Sequence, residues 1–302
     1  MNSTKTKKPF FKSPYLLVLP ALLFYSIFWA YPVFTAIREV FTAIDGGGFT
    51  LDNVFALFHD KKFEAAVTNT LVFALVSISL QFVLALALAL IINRNFKGSS
   101  IFLFVMMIPM AIPISAVGVI WNTGLTQYGW LNSFLDITGL QAILEWLGIL
   151  DGLHLWTDVS GMNAVMFLIL IDTWTVLPSV MIIILAGLQN LNKEYSEAAL
   201  VFGANRFQTV KDIVIPIIKP TIITALLLRI ISGVQVWLIS VMIFDFDKVP
   251  FLVERIVYYT KFYYGEEAYK LSVSYSLFVV LIVMGIAYLF LRANRKAERG
   301  VV

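Results

Sequence analysis

Residues 192–216 read NKEYSEAALVFGANRFQTVKDIVIP, a polar interval between two long apolar segments. Taken as a helix, Tyr195, Ala198, Ala199 and Phe202 fall at i, i+3, i+4 and i+7 and share one face, with Glu197 directed to the other side. The two alanines are expected to leave a shallow notch between Tyr195 and Phe202, where another protein can approach the backbone. Asn192 is the expected N-cap, and Glu194 in the first turn suits the helix dipole. Gly203 is the expected C-terminal break, because glycine takes positive φ without steric cost. A second amphipathic run follows, with Phe207, Val210 and Val214 on one side and Arg206 and Lys211 as its charges, until Pro216 and Pro220 open the next apolar segment. The pattern predicts a helix-turn-helix at a membrane surface.

The composition around this interval agrees. Of 302 residues, 60% are hydrophobic and 14% charged, with a mean hydropathy of +0.86, whereas soluble domains hold about 45–50% and about 25%. An integral membrane protein is expected, forming one transmembrane domain over residues 1–302. The chain has no cysteine, which excludes disulfides, thiolate metal sites and cysteine nucleophiles. His59 and His154 stand alone in polar loops and read as surface imidazoles.

Six segments have the roughly 20 residues needed to cross a bilayer: 15–34, 71–92, 101–121, 162–185, 221–244 and 273–291. The first follows Lys5, Lys7, Lys8 and Lys12 but is too long for a signal-peptide core, and it ends in Phe28-Trp29-Ala30-Tyr31-Pro32 without a cleavage pattern, so it reads as an uncleaved span. Of the 22 lysines and arginines, the two tails, the Arg94/Lys97 loop and the interval around Glu197 hold two for every one in the opposite loops. Positive residues face the cytoplasm, so both termini and the Glu197 interval are expected there, in a cell membrane. In the long outer loop, Leu140, Ile143, Leu144 and Leu147 predict a short amphipathic helix lying on the surface. Pro109 and Pro113 interrupt the third span and Pro178 the fourth, as either kinks or functional breaks.

Asp172 and Arg229 fall near the middle of the fourth and fifth spans. A charge facing lipid there would cost on the order of 2.5–3.5 kcal/mol, so both should face protein or a wet cavity. Two readings stand: an ion pair between them, or a polar path formed with Trp174, Gln235 and Trp237, whose rings could stack on sugars. There is no phosphate-binding loop, no metal cluster with ligand spacing, and no serine-histidine-acid set among the spans. No cofactor is implied. Basic residues are spread along one membrane face rather than interleaved with stacking aromatics, so no nucleic-acid partner is expected.

Glu197-Ala198-Ala199, then Gly203, then Ile213-x-Ile215-Pro216 after nine residues, resembles the signature loop of binding-protein-dependent ABC importer permeases, with Ile215 in place of leucine. Asp52-Asn53, Asn69-Thr70-Leu71, Gly129-Trp130-Leu131-Asn132 and Ala186-Gly187-Leu188-Gln189 are similar to the carbohydrate branch, the permeases for maltose and glycerol phosphate. The resemblance implies an all-α, polytopic type I importer permease of six transmembrane helices with a cytoplasmic coupling helix at about 192–216. Glu197, Ala198, Ala199 and Gly203 would contact an ATP-binding cassette subunit. It also implies a second homologous permease, an extracytoplasmic solute-binding protein, a sugar substrate and ATP hydrolysis in a partner. The chain departs from the pattern at Leu191-Asn192, where Ile-Pro is frequent, and at Phe202, where an aspartate precedes the glycine. Without the resemblance, an ion-coupled secondary transporter using Asp172 and a membrane scaffold that docks a soluble partner remain open.

Overall fold

The computed structural model describes residues 14–299 apart from 45 and 151, with side chains for all but 14–17, 193 and 293–299. Lys5, Lys7, Lys8 and Lys12, named above, lie outside it. Among the described residues five helices are long and apolar enough to cross a membrane, and a sixth crossing is made if one bent pair counts as a span.

The first crossing joins α1 (Pro14–Tyr25) to α2 (Tyr31–Val40) through a π turn, Ser26–Ala30. A second π turn, Thr209–Val214, joins α11 (Arg206–Gln208) to α12 (Ile215–Val234). In both turns the residue just before a proline donates five residues back: Tyr31 N–H to Ser26 O ahead of Pro32, and Ile215 N–H to Val210 O ahead of Pro216. Proline crowds its predecessor and lacks an N–H, and a widened turn absorbs that conflict without breaking the helix.

The second crossing, α4 (Phe63–Ile92), begins eight residues before the expected Leu71. Its first turns hold Asn69 and Thr70, which pin a later loop: Asn69 Nδ2 donates to Pro250 O at 2.9 Å, and Thr70 Oγ1 accepts from Leu252 N–H at 3.1 Å. The fourth crossing, α9 (Gly161–Gln189), runs through Pro178 unbroken. The last, α15 (Glu266–Arg299), starts ahead of the expected boundary at residue 273.

Two expected spans are divided. In place of 101–121 the chain forms α5 (Ser99–Ala111) and α6 (Ile114–Gly124), bent by 91°. Pro113 holds Ile112 extended at ψ 125°, so the helix stops there. In place of 221–244, α12 ends at Val234 and α13 (Leu238–Phe244) restarts after a break at 235–237. The two short second halves, α6 and α13, pack on each other. A Cβ on Gly118 would lie 2.3 Å from Met242 Cβ, and Asn122 Nδ2 donates to Ile243 O at 2.9 Å. The breaks therefore build one composite element from halves of two crossings.

Around α4, α9 and α12 lie two apolar clusters in series. One, with Phe73, Leu168, Ile169 and Ile171, reaches α6 and α13; the other, with Ala85, Met181, Ile184 and Ile218, lies toward α5 and the π turn. A third joins α3 (Asp52–His59) and α4 to α14 (Leu252–Phe262) and α15 through Leu57, Ala66, Leu252 and Tyr275. Between α6 and α9, α7 (Trp130–Ile137) and α8 (Leu140–Trp146) form the long loop; of the expected apolar face Leu140, Ile143 and Leu147 are exposed and Leu144 is half-buried. Asn132 anchors this loop, donating to Gln127 O at 2.9 Å and His154 O at 2.8 Å and accepting Trp156 Nε1 at 2.8 Å. Gly129 is forced by contact, since a Cβ there would lie 2.2 Å from Gly124 O.

Candidate functional site

The polar interval forms α10 (Lys193–Val201) and the turn after it. Asn192 caps it, its Oδ1 accepting Glu194 N–H at 3.1 Å. At the far end Gly203 takes φ +86°. Its N–H donates to Leu200 O and that of Ala204 to Ala199 O, each at 3.0 Å, the Schellman pattern that ends a helix in a left-handed residue. Asn205 then opens α11 with a capping box, exchanging bonds of 2.9 and 2.8 Å with Gln208. The turn is therefore specified at both ends by local chemistry.

This turn projects outward. Val201 is 85%, Phe202 90% and Phe207 75% exposed, three large apolar side chains at one polar tip. Glu197 and Ala198 are exposed, whereas Ala199 is buried at 6%. The shared face drawn from the helical wheel thus splits: Ala198 and Phe202 look outward, and Ala199 packs against its own chain. A cleft of about 540 Å³ lies between α10 and the α4–α5 turn, lined by Asn93, Asn95, Leu188, Ser196 and Glu197 among others.

Asp172 and Arg229 meet inside the membrane-spanning bundle, at 6% and 5% exposure. Arg229 Nη2 donates to Asp172 Oδ2. Its Nε donates to Gln81 Oε1 at 2.5 Å, Nη1 to Ser232 Oγ at 3.0 Å and Nη2 to Ser77 Oγ at 3.3 Å. Gln81 Nε2 closes the ring by donating to Asp172 Oδ2 at 2.7 Å. Ser77 and Gln81 of α4, Asp172 of α9, and Arg229 and Ser232 of α12 make up this network, which lies where the two serial apolar clusters meet. Burying two charges is tolerated because each is paired and hydrogen-bonded.

Trp174, Gln235 and Trp237 are not part of this ring. Trp174 is 39% exposed and meets Trp121 edge-on at 6.0 Å. Gln235 is exposed and Trp237 half-buried, both in the break between α12 and α13. Gln81, Ser77 and Ser232 escaped the sequence reading. Gln81 left a signal, as the one amide within 71–92. Among the described residues no group of acidic and histidine side chains is placed to hold a metal.

A bundle of apolar crossings closed by a buried charge ring and carrying an exposed polar turn with an apolar tip defines a polytopic membrane protein. The profile of the family described as binding-protein-dependent transport system inner membrane component matches residues 81–301. The chain belongs to that family. It is 32% identical over 232 residues to the trehalose/maltose transport system permease protein MalF of Thermococcus litoralis, covering 75% of each chain. It is 29% identical over 213 residues to the sn-glycerol-3-phosphate transport system permease protein UgpA of Yersinia enterocolitica, covering 68% of each. A chain of a bacterial ABC transporter that imports the acidic polysaccharide alginate superimposes with a TM-score of 0.77 at 20% identity, over 93% of this chain and 94% of that one.

Proposed function

We propose that this chain is one of two transmembrane subunits of an ABC importer for a sugar or oligosaccharide. A separate ATP-binding cassette subunit drives it, and an extracytoplasmic solute-binding protein delivers the substrate. The observation that carries this reading is the α10–α11 turn, a preformed docking knob on a chain whose sequence offers no phosphate-binding loop of its own. Glu197, Ala198 and Gly203 meet the ATPase, and Ala199 holds α10 to the core. Both termini lie in the cytoplasm with that turn, as the lysine and arginine distribution requires. The relatives' names for trehalose, maltose and glycerol phosphate support a polyhydroxylated substrate.

Trp174, Gln235 and Trp237 line the pathway: Gln235 and Trp237 keep exposed surface in the α12–α13 break, where transporters commonly bind their cargo, and Trp174 keeps exposed surface on α9 against Trp121. Asp172 and Arg229 position α12 against α4 and α9. An ion-coupling role for Asp172 is disfavoured by its buried pairing with Arg229, whose Nη2 donates, with Gln81 Nε2, to its Oδ2.

The test is reconstitution of the complete transporter in proteoliposomes. Gly203→Val or Ala198→Trp should leave membrane insertion intact while sugar uptake falls at least about tenfold and ATP hydrolysis no longer responds to the solute-binding protein. Uptake by this chain alone, driven by an ion gradient, would overturn the reading.

A further inference from the structure

At the end of the molecule opposite the docking turn, a cleft of about 450 Å³ opens between the start of α3 (Asp52–His59) and the junction of α14 with α15. Tyr259, Tyr263 and Tyr264 form one wall, and Asp52, Asn53 and Glu267 supply polar groups. The aromatic wall is clustered: Tyr259 and Tyr263 lie with centroids 5.5 Å apart, and Tyr264 is 94% exposed. The Tyr259 hydroxyl is turned away, donating to Asp60 Oδ2 at 2.8 Å. Burial, then that bond, raises its pKa, so the ring stays a neutral phenol.

The polar groups are mainly acceptors. Asn53 is buried, and its Nδ2 is committed to Val40 O and Thr42 O, both at 2.9 Å. Its Oδ1 is left as the acceptor. The nearby cation, Lys270, is 2% exposed and already taken by Glu39 Oε2 at 2.6 Å, with Glu266 Oε1 at 3.7 Å. Two carboxylates, a free amide oxygen and open tyrosine faces therefore stand without an available cation among the lining residues. A cation fits this chemistry, since guanidinium or ammonium groups are drawn both to carboxylates and to aromatic faces. An anion would meet the repulsion of Asp52 and Glu267.

We propose that this cleft is a socket for a basic side chain, arginine or lysine, on the extracytoplasmic solute-binding protein. The proposal rests on the importer reading and on the orientation given above. The cleft lies on α3, α14 and α15, away from the Asp172–Arg229 ring and the α12 break, so its occupant anchors a partner instead of passing through. Placed on the face opposite the docking turn, it engages the substrate donor while the turn engages the ATPase.

The test uses the whole transporter in proteoliposomes and titrates its solute-binding protein, reading the concentration that half-saturates uptake. An inactive fraction of a variant does not move that quantity. Glu267→Gln and Tyr264→Ala should each raise it roughly five- to thirty-fold at low salt, and the gap to wild type should narrow as salt screens the pair. Glu267→Lys should raise it further, and an acidic substitution at one basic surface residue of the binding protein should restore it. Unchanged half-saturation in Glu267→Gln and Tyr264→Ala overturns the socket while leaving the importer reading standing. So does a defect that tracks the ethanolamine-lipid content of the vesicles, which would make the occupant a headgroup. If wild type shows no binding-protein-dependent uptake, the importer reading itself falls.

Discussion

Arg229 shows how much one side chain can hold together: through four hydrogen-bonding partners it ties three crossings at the level where two apolar clusters meet. Removing one member of such a pair strands the other charge without water. Asp172→Asn or Arg229→Met is expected to cost about 3–5 kcal/mol, read as a lower unfolding midpoint in detergent. The double variant Asp172→Leu/Arg229→Met should recover most of that loss. If the two single losses simply add, the ring is not a coupled unit. Both charges were legible in the sequence because a charge within an apolar run is conspicuous. Gln81 was less so, since an amide carries no charge to mark it, and only contact across 148 residues reveals its role. The face of Ala199 was misread for a related reason: a helical wheel gives the angle between residues but not which arc meets the chain's own core.

Among the elements, the docking turn was the most legible and the broken crossings the least. Asn192, Gly203 and the Asn205–Gln208 box act within a few residues, so their geometry follows from local sequence. Gly203→Ala, which keeps the composition but opposes φ +86°, is expected to cost about 1 kcal/mol and to fray α10, visible as faster amide exchange confined to 199–205. The break at Pro113 left a trace, although a kink was equally compatible with it. The stop after Val234 left none, because it is made by tertiary contact, α13 lying against α6 with Gly118 under Met242. Gly118→Val should therefore separate the two half-helices at a cost of about 1–3 kcal/mol. Uptake should fall while α10 keeps its exchange protection, and a variant as stable and active as wild type would deny the pair its place as one element.

Across the whole molecule, the absence of cysteine from the sequence gives a clean background for testing orientation. Val201→Cys on the docking turn and Trp146→Cys on the long loop are both at sites 85% exposed. In intact cells a membrane-impermeant thiol reagent should label only the second, and labelling of the first would invert the topology. From the docking turn one helical rod, residues 206 to 234, runs to the buried ring at Arg229 and stops just beyond it, and the π turn within it acts as slack. An α-helix turns by about 100° per residue, so deleting one residue from the middle of α12 would swing the docking knob about a quarter of a circle away from its partner. The π turn already carries one residue more than a regular helix needs, and losing it returns the winding to normal with both ends still in phase. Deletion of Lys211 together with Pro216→Ala should thus transport far better than deletion of Ala225, and equal uptake by the two would refute this. The rod is thus expected to absorb the loss of one residue at the π turn and to pass on, as a rotation, the loss of one in α12.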